Sequence, residues 1–329
     1  MKAEVMAGAN EGTKVFSLDE LIAIYEVSNM AEGKSPKTTS WYTDMLAAFA
    51  GYVAANHGSC DLTALNVDTA RAYILYLRQK PRFKGHPHTP AQPGLLSPKT
   101  LQCHTRVLKA FCSWLYADGY TIDNRLKNLK LPKAPVTVME PLTPGEIETI
   151  IAGIDKKSRT GARNHAILVT MLDTGLRASE AAGITLANLN LPEGFIKVMY
   201  KGAKERIVPI GKYSRMVLWS YIDKVRAKPT NPDSKYLFLT AGSEPITVNT
   251  IKLLFSRLAK VSGVARLHAH LCRHTFAINY LLNGGDVFSL QRILGHSSLE
   301  IVRIYVNLAE TDVKACHRRF SPADNMEIR

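Results

Sequence analysis

The chain has 329 residues, 46% of them hydrophobic and 21% charged, so it can fill the cores of two ordinary domains and is neither disordered nor fibrous. Its 42 Lys and Arg against 28 Asp and Glu leave a formal net charge of +14, which favours a polyanionic partner. Nucleic acid is the usual one, although charge alone leaves ribosome-associated and membrane-surface proteins open. The cysteines are scattered and form no C-x-x-C pair, which argues against a zinc framework. The absence of an apolar signal segment argues against secretion, and the absence of a run of about 18 apolar residues argues against a membrane span. We therefore expect a cytoplasmic protein that acts on DNA.

The first part of the chain divides by charge. Residues 1–34 have an acidic excess and are expected to form a leader that does not lie on DNA. Ser17, with Glu20 three positions later, predicts a capped helix over about 17–29. Residues 35–133 have a basic excess, and their apolar periodicity predicts a small helical DNA-binding unit. Its helices are expected at about 38–57, 67–80 and 98–118, with a shorter fourth helix able to follow.

A proline-rich stretch separates this unit from the rest. Residues 130–144 contain four prolines and no periodicity, and we place an interdomain linker at 134–144. Thr143, Pro144 and Glu146 then predict the capped start of a new helix, which opens a second domain at 145–329.

The second domain reads as mainly helical with a small β-sheet. A helix at about 161–174 is expected to end at Gly175, a common residue at helix C-termini, and RASEAAGI predicts a short helix after it. FIKVMYKG and KERIVPI predict two short strands around a turn at Gly202. Further helices are expected near 212–227, 247–262, 271–283, 286–293 and 298–308.

Several polar residues of this domain could form a phosphate site. His270 and Arg273 stand one helical turn apart, together with His274, and we expect them to face away from the core. An arginine binds two phosphate oxygens in a fork, and a histidine can exchange a proton near neutral pH. Arg177 follows a helix-ending glycine. Taken alone, these side chains would be a solvated polar face and a salt bridge between Arg177 and Glu180.

Three more residues are ambiguous one by one. His296 is expected at a helix N-terminus that Ser297 caps, where backbone N–H groups favour anions. Tyr305 lies on the apolar face of that helix, and by itself it would be a core tyrosine. Lys201 stands at the tip of the predicted β-hairpin, where a lysine is usually just solvated.

Together, and in this order, the motifs resemble those of the tyrosine recombinases, the family of phage-type integrases and Xer-like recombinases. TGLRASE is similar to the family's first-arginine box, and KGAKER is similar to its β-hairpin lysine box. HLCRHTFA is similar to its His-x-x-Arg box, and LGHSSLEIVRIY to its second-histidine and tyrosine box. The resemblance implies a mainly α fold with a small β-sheet (α+β), in which a helical SAM-like core-binding domain at 35–133 precedes a catalytic domain with a C-terminal tail.

Two stretches depart from the family pattern. Leu271 and Cys272 stand where an acidic or polar residue and a leucine are usual, and we expect Cys272 to pack rather than react. Ile301, Val302 and Arg303 occupy a stretch that often contains two threonines. Both changes leave the catalytic groups in place but put in question how the site is switched on within an assembly.

The resemblance implies a catalytic set of Arg177, Lys201, His270, Arg273, His296 and Tyr305. In this reading the arginines bind the phosphate, His270 takes the proton of the Tyr305 nucleophile, Lys201 protonates the departing 5′-oxygen and His296 orients the site. The product is a 3′-phosphotyrosyl link that keeps the bond energy, so rejoining needs no ATP. No metal or other cofactor is expected.

The implied partners are double-stranded DNA with a specific core site and three further copies of the chain, as a homo-tetramer on two sites. No membrane partner is expected, and accessory DNA-bending proteins stay open. Integration, excision, transposition and dimer resolution share this chemistry, and the target sequence and strand order stay undetermined. Two alternatives are a type IB topoisomerase, which would relax supercoils without a specific site, and a catalytically dead architectural DNA-binding protein.

Overall fold

A computed structural model describes residues 16–57, 60–83, 90, 92–135, 139–200, 204–295, 317, 321 and 323. The chain divides between Thr137 and Val138 into two compact units, each described here by itself. Among the described residues, no helix is long and apolar enough to cross a membrane.

The described residues of the first unit form four α-helices and a short pair of strands. The helices are α1 (Leu18–Ala31), α2 (Pro36–His57), α3 (Val67–Gln79) and α4 (Pro98–Ala117). The strands β1 (Pro81–Arg82) and β2 (Gln92–Leu95) pair antiparallel in the stretch between α3 and α4. After α4 the chain forms turns over 118–128 rather than the further helix that the sequence allowed.

Local capping rules explain where these helices begin. Ser17 and Glu20 form the predicted capping box of α1, and Pro98 occupies the first turn of α4. Leu18, Leu21 and Tyr25 of α1 belong to the buried core of the unit, so this part of the predicted leader packs into the helical bundle. The division into leader, core-binding domain, linker and catalytic domain remains a prediction.

The second unit combines seven helices with a three-stranded sheet in the described residues. Its first helices are α5 (Pro144–Ala152), α6 (Arg159–Thr174) and α7 (Ala178–Ala182). The strands β3 (Leu189–Asn190), β4 (Phe195–Tyr200) and β5 (Lys204–Pro209) form an antiparallel sheet in that order. The remaining helices are α8 (Lys212–Ser220), which continues as a π-helical turn to Val225, α9 (Val248–Ser262), α10 (Ala269–Leu282) and α11 (Val287–Leu294).

The core of this unit brings its helices and its sheet together. Alternate residues of the sheet point inward, among them Ile196, Val198 and Val208, and they join buried side chains of α6, α9 and α10. Cys272 lies fully buried in this cluster, which confirms that it packs. A smaller cluster of apolar side chains fixes α11 on α10. The predicted class, mainly α with a small sheet, is confirmed, while the helix expected at 298–308 lies outside the described residues.

Candidate active site

A tight corner between α6 and α7 positions Arg177. α6 ends at Gly175, which has a φ of 63°, a left-handed conformation that costs glycine little. A Cβ at this position would stand 2.5 Å from a ring carbon of Phe276 and 2.8 Å from a methyl of Leu294. Glycine is therefore required here both by the turn and by the close approach of α10 and α11.

Arg177 is held in place by Glu180. The Arg177 backbone N–H donates to Glu180 Oε2 at 2.8 Å, and its Nη1 donates to Glu180 Oε1 at 2.9 Å. The ion pair that the sequence offered as an alternative thus exists, but 40% of the Arg177 side chain stays exposed. The pair orients this guanidinium without burying it, so an ordinary salt bridge and an anion-binding role are compatible.

Arg273 is buried, which corrects the expectation that it faces away from the core. Only 1% of this residue is exposed. Its Nη1 donates to the carbonyl of Gly175 and its Nη2 to the carbonyl of Leu294, both at 2.7 Å. A buried guanidinium needs hydrogen-bond acceptors, and two helix C-termini supply them because their last carbonyls have no partner within the helix.

The end of α11 is where the arginines meet. Arg177 Nη1 also reaches the carbonyl of Leu294, at 3.5 Å, so Arg177 and Arg273 share one acceptor. The partial negative charge of a helix C-terminus favours cations at this point. Gly295 then ends the helix in a left-handed conformation with a φ of 63°, and the next residue along the chain is His296.

A third arginine, Arg206, was missed by the sequence reasoning. It lies on β5 and is 9% exposed. Its two Nη atoms donate to the two carboxylate oxygens of Glu180 at 2.8 and 2.9 Å, and its Nε donates to the carbonyl of Ile293 at 2.7 Å. The signal was present in KERIVPI, where strand alternation places Arg206 on the same face as Val208.

Glu180 is consequently the hub of this network. Its carboxylate accepts hydrogen bonds from the side chains of Arg177 and Arg206 and from the Arg177 backbone. Burial by itself raises the pKa of Glu180, but the hydrogen bonds from Arg206 and Arg177 and their positive charges outweigh it, and the net pKa is lowered. Glu180 is therefore ionised at neutral pH and balances part of the local positive charge.

His270 lies on the first turn of α10, one turn before Arg273. Part of the residue is exposed to solvent and part is covered by its neighbours, and His268 precedes the helix as its N-cap residue. Partial burial of the ring lowers the pKa of His270, and the positive charges of Arg273 and Arg177 lower it further. The ring is therefore neutral at neutral pH and able to accept a proton.

His274 does not join this group. It is buried, and its Nε2 donates to the backbone carbonyl of Met139. The neighbouring Thr275 hydroxyl accepts a hydrogen bond from the backbone N–H of Leu142 at 2.9 Å. These two residues hold the start of the second unit against α10, which is a structural role.

Three of the six predicted catalytic residues, Lys201, His296 and Tyr305, lie outside the described residues. In the sequence Lys201 lies between β4 and β5, which are paired from Phe195 opposite Pro209 to Tyr200 opposite Lys204. Arg177, Arg273 and His270 are assembled in the described part of the second unit.

Comparison with known proteins gives the family. The model of the phage integrase family matches residues 140–312, more than half of the chain. The tyrosine recombinase XerD of Xanthomonas axonopodis pv. citri is 32% identical over 267 residues, covering 78% of this chain and 84% of that protein. XerD of Listeria innocua serovar 6a is 26% identical and covers 88% of this chain and 94% of that protein.

Solved structures agree at the level of the fold. The integrase of the transposon Tn1549 in complex with circular intermediate DNA has a TM-score of 0.68 at 22% identity, covering 88% of this chain and 95% of that one. The XerH recombinase bound to a palindromic difH substrate has a TM-score of 0.67 at 21% identity, covering 94% of this chain and 85% of that one. Arginines gather at the end of α11, and the family match over 140–312 covers most of the second unit. The chain belongs to the phage integrase family and is a tyrosine recombinase, an enzyme of site-specific DNA recombination.

Proposed function

We propose that this recombinase cleaves one strand of duplex DNA at a specific core site through attack of Tyr305 on a phosphate, and rejoins it to another strand. The observation that carries the proposal is the convergence of Arg177 and Arg273 on the carbonyl of Leu294, two positions before His296. Residues far apart in the chain thereby place two guanidinium groups at the start of the segment that contains Tyr305.

The arginines have the role of binding the phosphate. A phosphodiester is negatively charged and gains charge in the transition state, which fixed cations stabilise. Arg177 is the exposed group of the pair and is oriented by Glu180. Arg273 is buried, so its contact with a phosphate oxygen requires that this guanidinium becomes accessible to the DNA.

Proton transfer falls to two other residues. Tyrosine has an ordinary pKa near 10 and has to lose its proton as it attacks. His270 is the proposed base, since its lowered pKa leaves the ring neutral. Lys201 is the proposed acid for the 5′-oxygen, and His296 bonds a phosphate oxygen. The intermediate is a 3′-phosphotyrosyl link with a free 5′-hydroxyl.

The assembly we propose is a homo-tetramer on two DNA sites, with both units of each chain contacting DNA in the cytoplasm. The net charge of +14 supports contact with a polyanion along much of the chain. Relatives named for a transposon integrase and for a recombinase bound to difH support integration or excision of a mobile element and dimer resolution, respectively. Both uses need the same strand cleavage and rejoining.

A nicked suicide substrate tests the proposal. Inverted repeats in the DNA that flanks the gene supply the candidate sites. The wild-type protein should form a covalent protein–DNA adduct, and Tyr305→Phe should form none. Tyr213→Phe is the matched control, because Tyr213 is an exposed tyrosine of the same unit whose hydroxyl lies 3.5 Å from His165 Nε2, and it should keep the adduct.

Each other outcome has a defined meaning. Binding without any adduct across the candidate sites would sink the proposal and favour the architectural DNA-binding protein. Relaxation of supercoiled DNA without dependence on a site would instead favour the topoisomerase.

A further inference from the structure

Arg206 stands apart from the residues assigned to the reaction, yet it contacts two parts of the site at once. It is a buried arginine, and burying a guanidinium is costly unless acceptors surround it. Its acceptors are the carboxylate of Glu180 on α7 and the carbonyl of Ile293 on α11. One side chain on β5 thereby joins two helices that are distant in the chain.

The first contact acts on Arg177. Arg206 binds Glu180 through two parallel hydrogen bonds, which fix the carboxylate plane better than a single bond can. That carboxylate in turn accepts from the side chain and the backbone of Arg177. Removing Arg206 takes away two of the hydrogen bonds that fix the Glu180 carboxylate, so Arg177 is held less firmly in its direction.

The second contact acts on the end of α11. Arg206 Nε donates to the Ile293 carbonyl, one of the last carbonyls of the helix. A Cβ on Gly295 would stand 3.1 to 3.2 Å from three atoms of the Arg206 side chain, so the glycine lies directly against it. The chain then leaves α11 toward His296 from a point that Arg206 holds.

The position of Arg206 on the strand adds a third connection. β5 begins at Lys204 and pairs with β4, and Lys201 precedes β5 by three positions in the sequence. The outward side chains Glu205 and Ile207 flank Arg206, which alone of the three points inward. The strand that follows Lys201 is therefore tied to Arg177 and to the helix before His296.

We infer that Arg206 is a positioning residue for strand cleavage, which aligns Arg177, the Lys201 hairpin and the start of the His296–Tyr305 segment without contacting DNA. The inference rests on the proposed function. It assigns to Arg206 a role in the rate of cleavage rather than in the binding of the site.

The variants Arg206→Gln and Arg206→Lys test this role on the nicked suicide substrate. Arg206→Gln should slow adduct formation by about a hundredfold, as the loss of a fixed electrostatic group in an active site does, while the affinity for the same duplex changes less than about twofold. Arg206→Lys keeps the charge but cannot make the paired bonds to Glu180, so it should recover only part of the rate.

Arg226→Gln is the matched control. Arg226 also donates to backbone carbonyls, but these belong to Leu237 and Tyr236 rather than to α7 or α11. It should lower stability as Arg206→Gln does and leave the rate of the folded protein unchanged. Equal rate losses in the two variants, after correction for the folded fraction, would overturn the inference.

A double-mutant cycle with Glu180→Gln separates positioning from general support. If Arg206 acts through Glu180, Arg206→Gln should cost much less rate when Glu180 is already Gln. Additive losses in the cycle would contradict the route through Glu180.

Deuterium uptake tests the contact between Arg206 and α11 without requiring that the protein cleaves DNA. Uptake by the peptide over 287–295 should rise in Arg206→Gln and stay at the wild-type level in Arg226→Gln, since only the first loses the contact with Ile293. If the wild type forms no adduct on any substrate, the proposed function fails, while this measurement still decides whether Arg206 holds α11. Unchanged uptake in Arg206→Gln would refute that part.

Discussion

Among single residues, His270 shows how the site sets a protonation state. Its partial burial lowers the pKa below the ordinary value of 6.5, and the neighbouring charges of Arg273 and Arg177 act in the same direction. A base with a lowered pKa stays unprotonated at mildly acidic pH. The cleavage rate should therefore fall to half on the acid side at a pH below 6.5, the ordinary pKa of histidine.

We predict that His270→Gln lowers the rate of adduct formation by about 10²- to 10⁴-fold and removes the decline on the acid side, because glutamine has no proton to gain there. Both the rate and its acid-side decline are measured by adduct formation on the suicide substrate at subsaturating protein, over a range of pH. His268→Gln is the control, since His268 is an exposed histidine next to the same helix, and it should keep the acid-side decline. An unchanged decline in His270→Gln would assign the base to another group.

Gly175 is the second residue with a defined physical demand. Its left-handed conformation and the close packing of Phe276 and Leu294 add together. Gly263 also has a left-handed φ, of 73°, but a Cβ there would meet nothing within 4 Å. Comparing substitutions at Gly175 and Gly263 therefore separates the cost of backbone strain from the cost of steric overlap with neighbouring side chains.

We predict that Gly263→Ala lowers the free energy of unfolding by about 1 kcal/mol, the cost of the left-handed conformation. Gly175→Ala should lose that amount and a further 1–3 kcal/mol, roughly, for overpacking. Urea unfolding followed by circular dichroism gives the difference. Equal losses in the two variants would show that α10 and α11 yield to the added methyl group.

Among the elements, α10 carries both the site and the anchor of the second unit. One end presents His270 and Arg273, and the next turn bonds the segment from Met139 to Leu142 through His274 and Thr275. Arg266, before the helix, donates to the carbonyls of Glu140 and Pro141. A shift of this segment would therefore pull on the helix that bears the proposed base.

We predict that Thr275→Val destabilises the contact by about 1–3 kcal/mol, because the buried N–H of Leu142 loses its acceptor. Deuterium uptake by the peptide over 139–150 should rise. Thr105→Val is the control, since the buried Thr105 hydroxyl only donates to the Leu101 carbonyl of its own helix, and its loss should cost much less. Uptake that stays at the wild-type level would argue that His274 and Arg266 hold the segment without Thr275.

At the scale of the whole molecule, each cluster of buried apolar residues stays within one unit. The first unit has its core between Leu18 and Leu129, and the second has its clusters between Leu142 and Leu294. A unit with its own core has the main requirement for folding alone.

We predict that fragments 1–137 and 138–329 each fold and unfold cooperatively when they are produced separately. Circular dichroism and urea titration of each fragment, compared with the full chain, measure this. A fragment that lacks a cooperative transition would show that the units depend on each other for stability.

The sequence by itself determined the features that depend on near neighbours. The capping boxes of Ser17 with Glu20 and of Thr143 with Glu146 lie within one helical turn, and the left-handed ends at Gly175 and Gly295 follow from the conformational freedom of glycine. The order of the motifs was enough to indicate the family and its reaction. For Lys201, His296 and Tyr305, the assignment still depends on that order alone.

Only the tertiary structure decided what depends on contacts between distant segments. Helix periodicity placed Arg273 on a polar face, but the carbonyls of Gly175 and Leu294 come from other elements and allow it to be buried. The sequence did not predict Arg206 as a site residue, because its partners Glu180 and Ile293 are far from it in the chain. Packing of the core brings together hydrogen-bond partners that lie far apart in the sequence. The same packing places Arg177, Arg206 and Arg273 in one site.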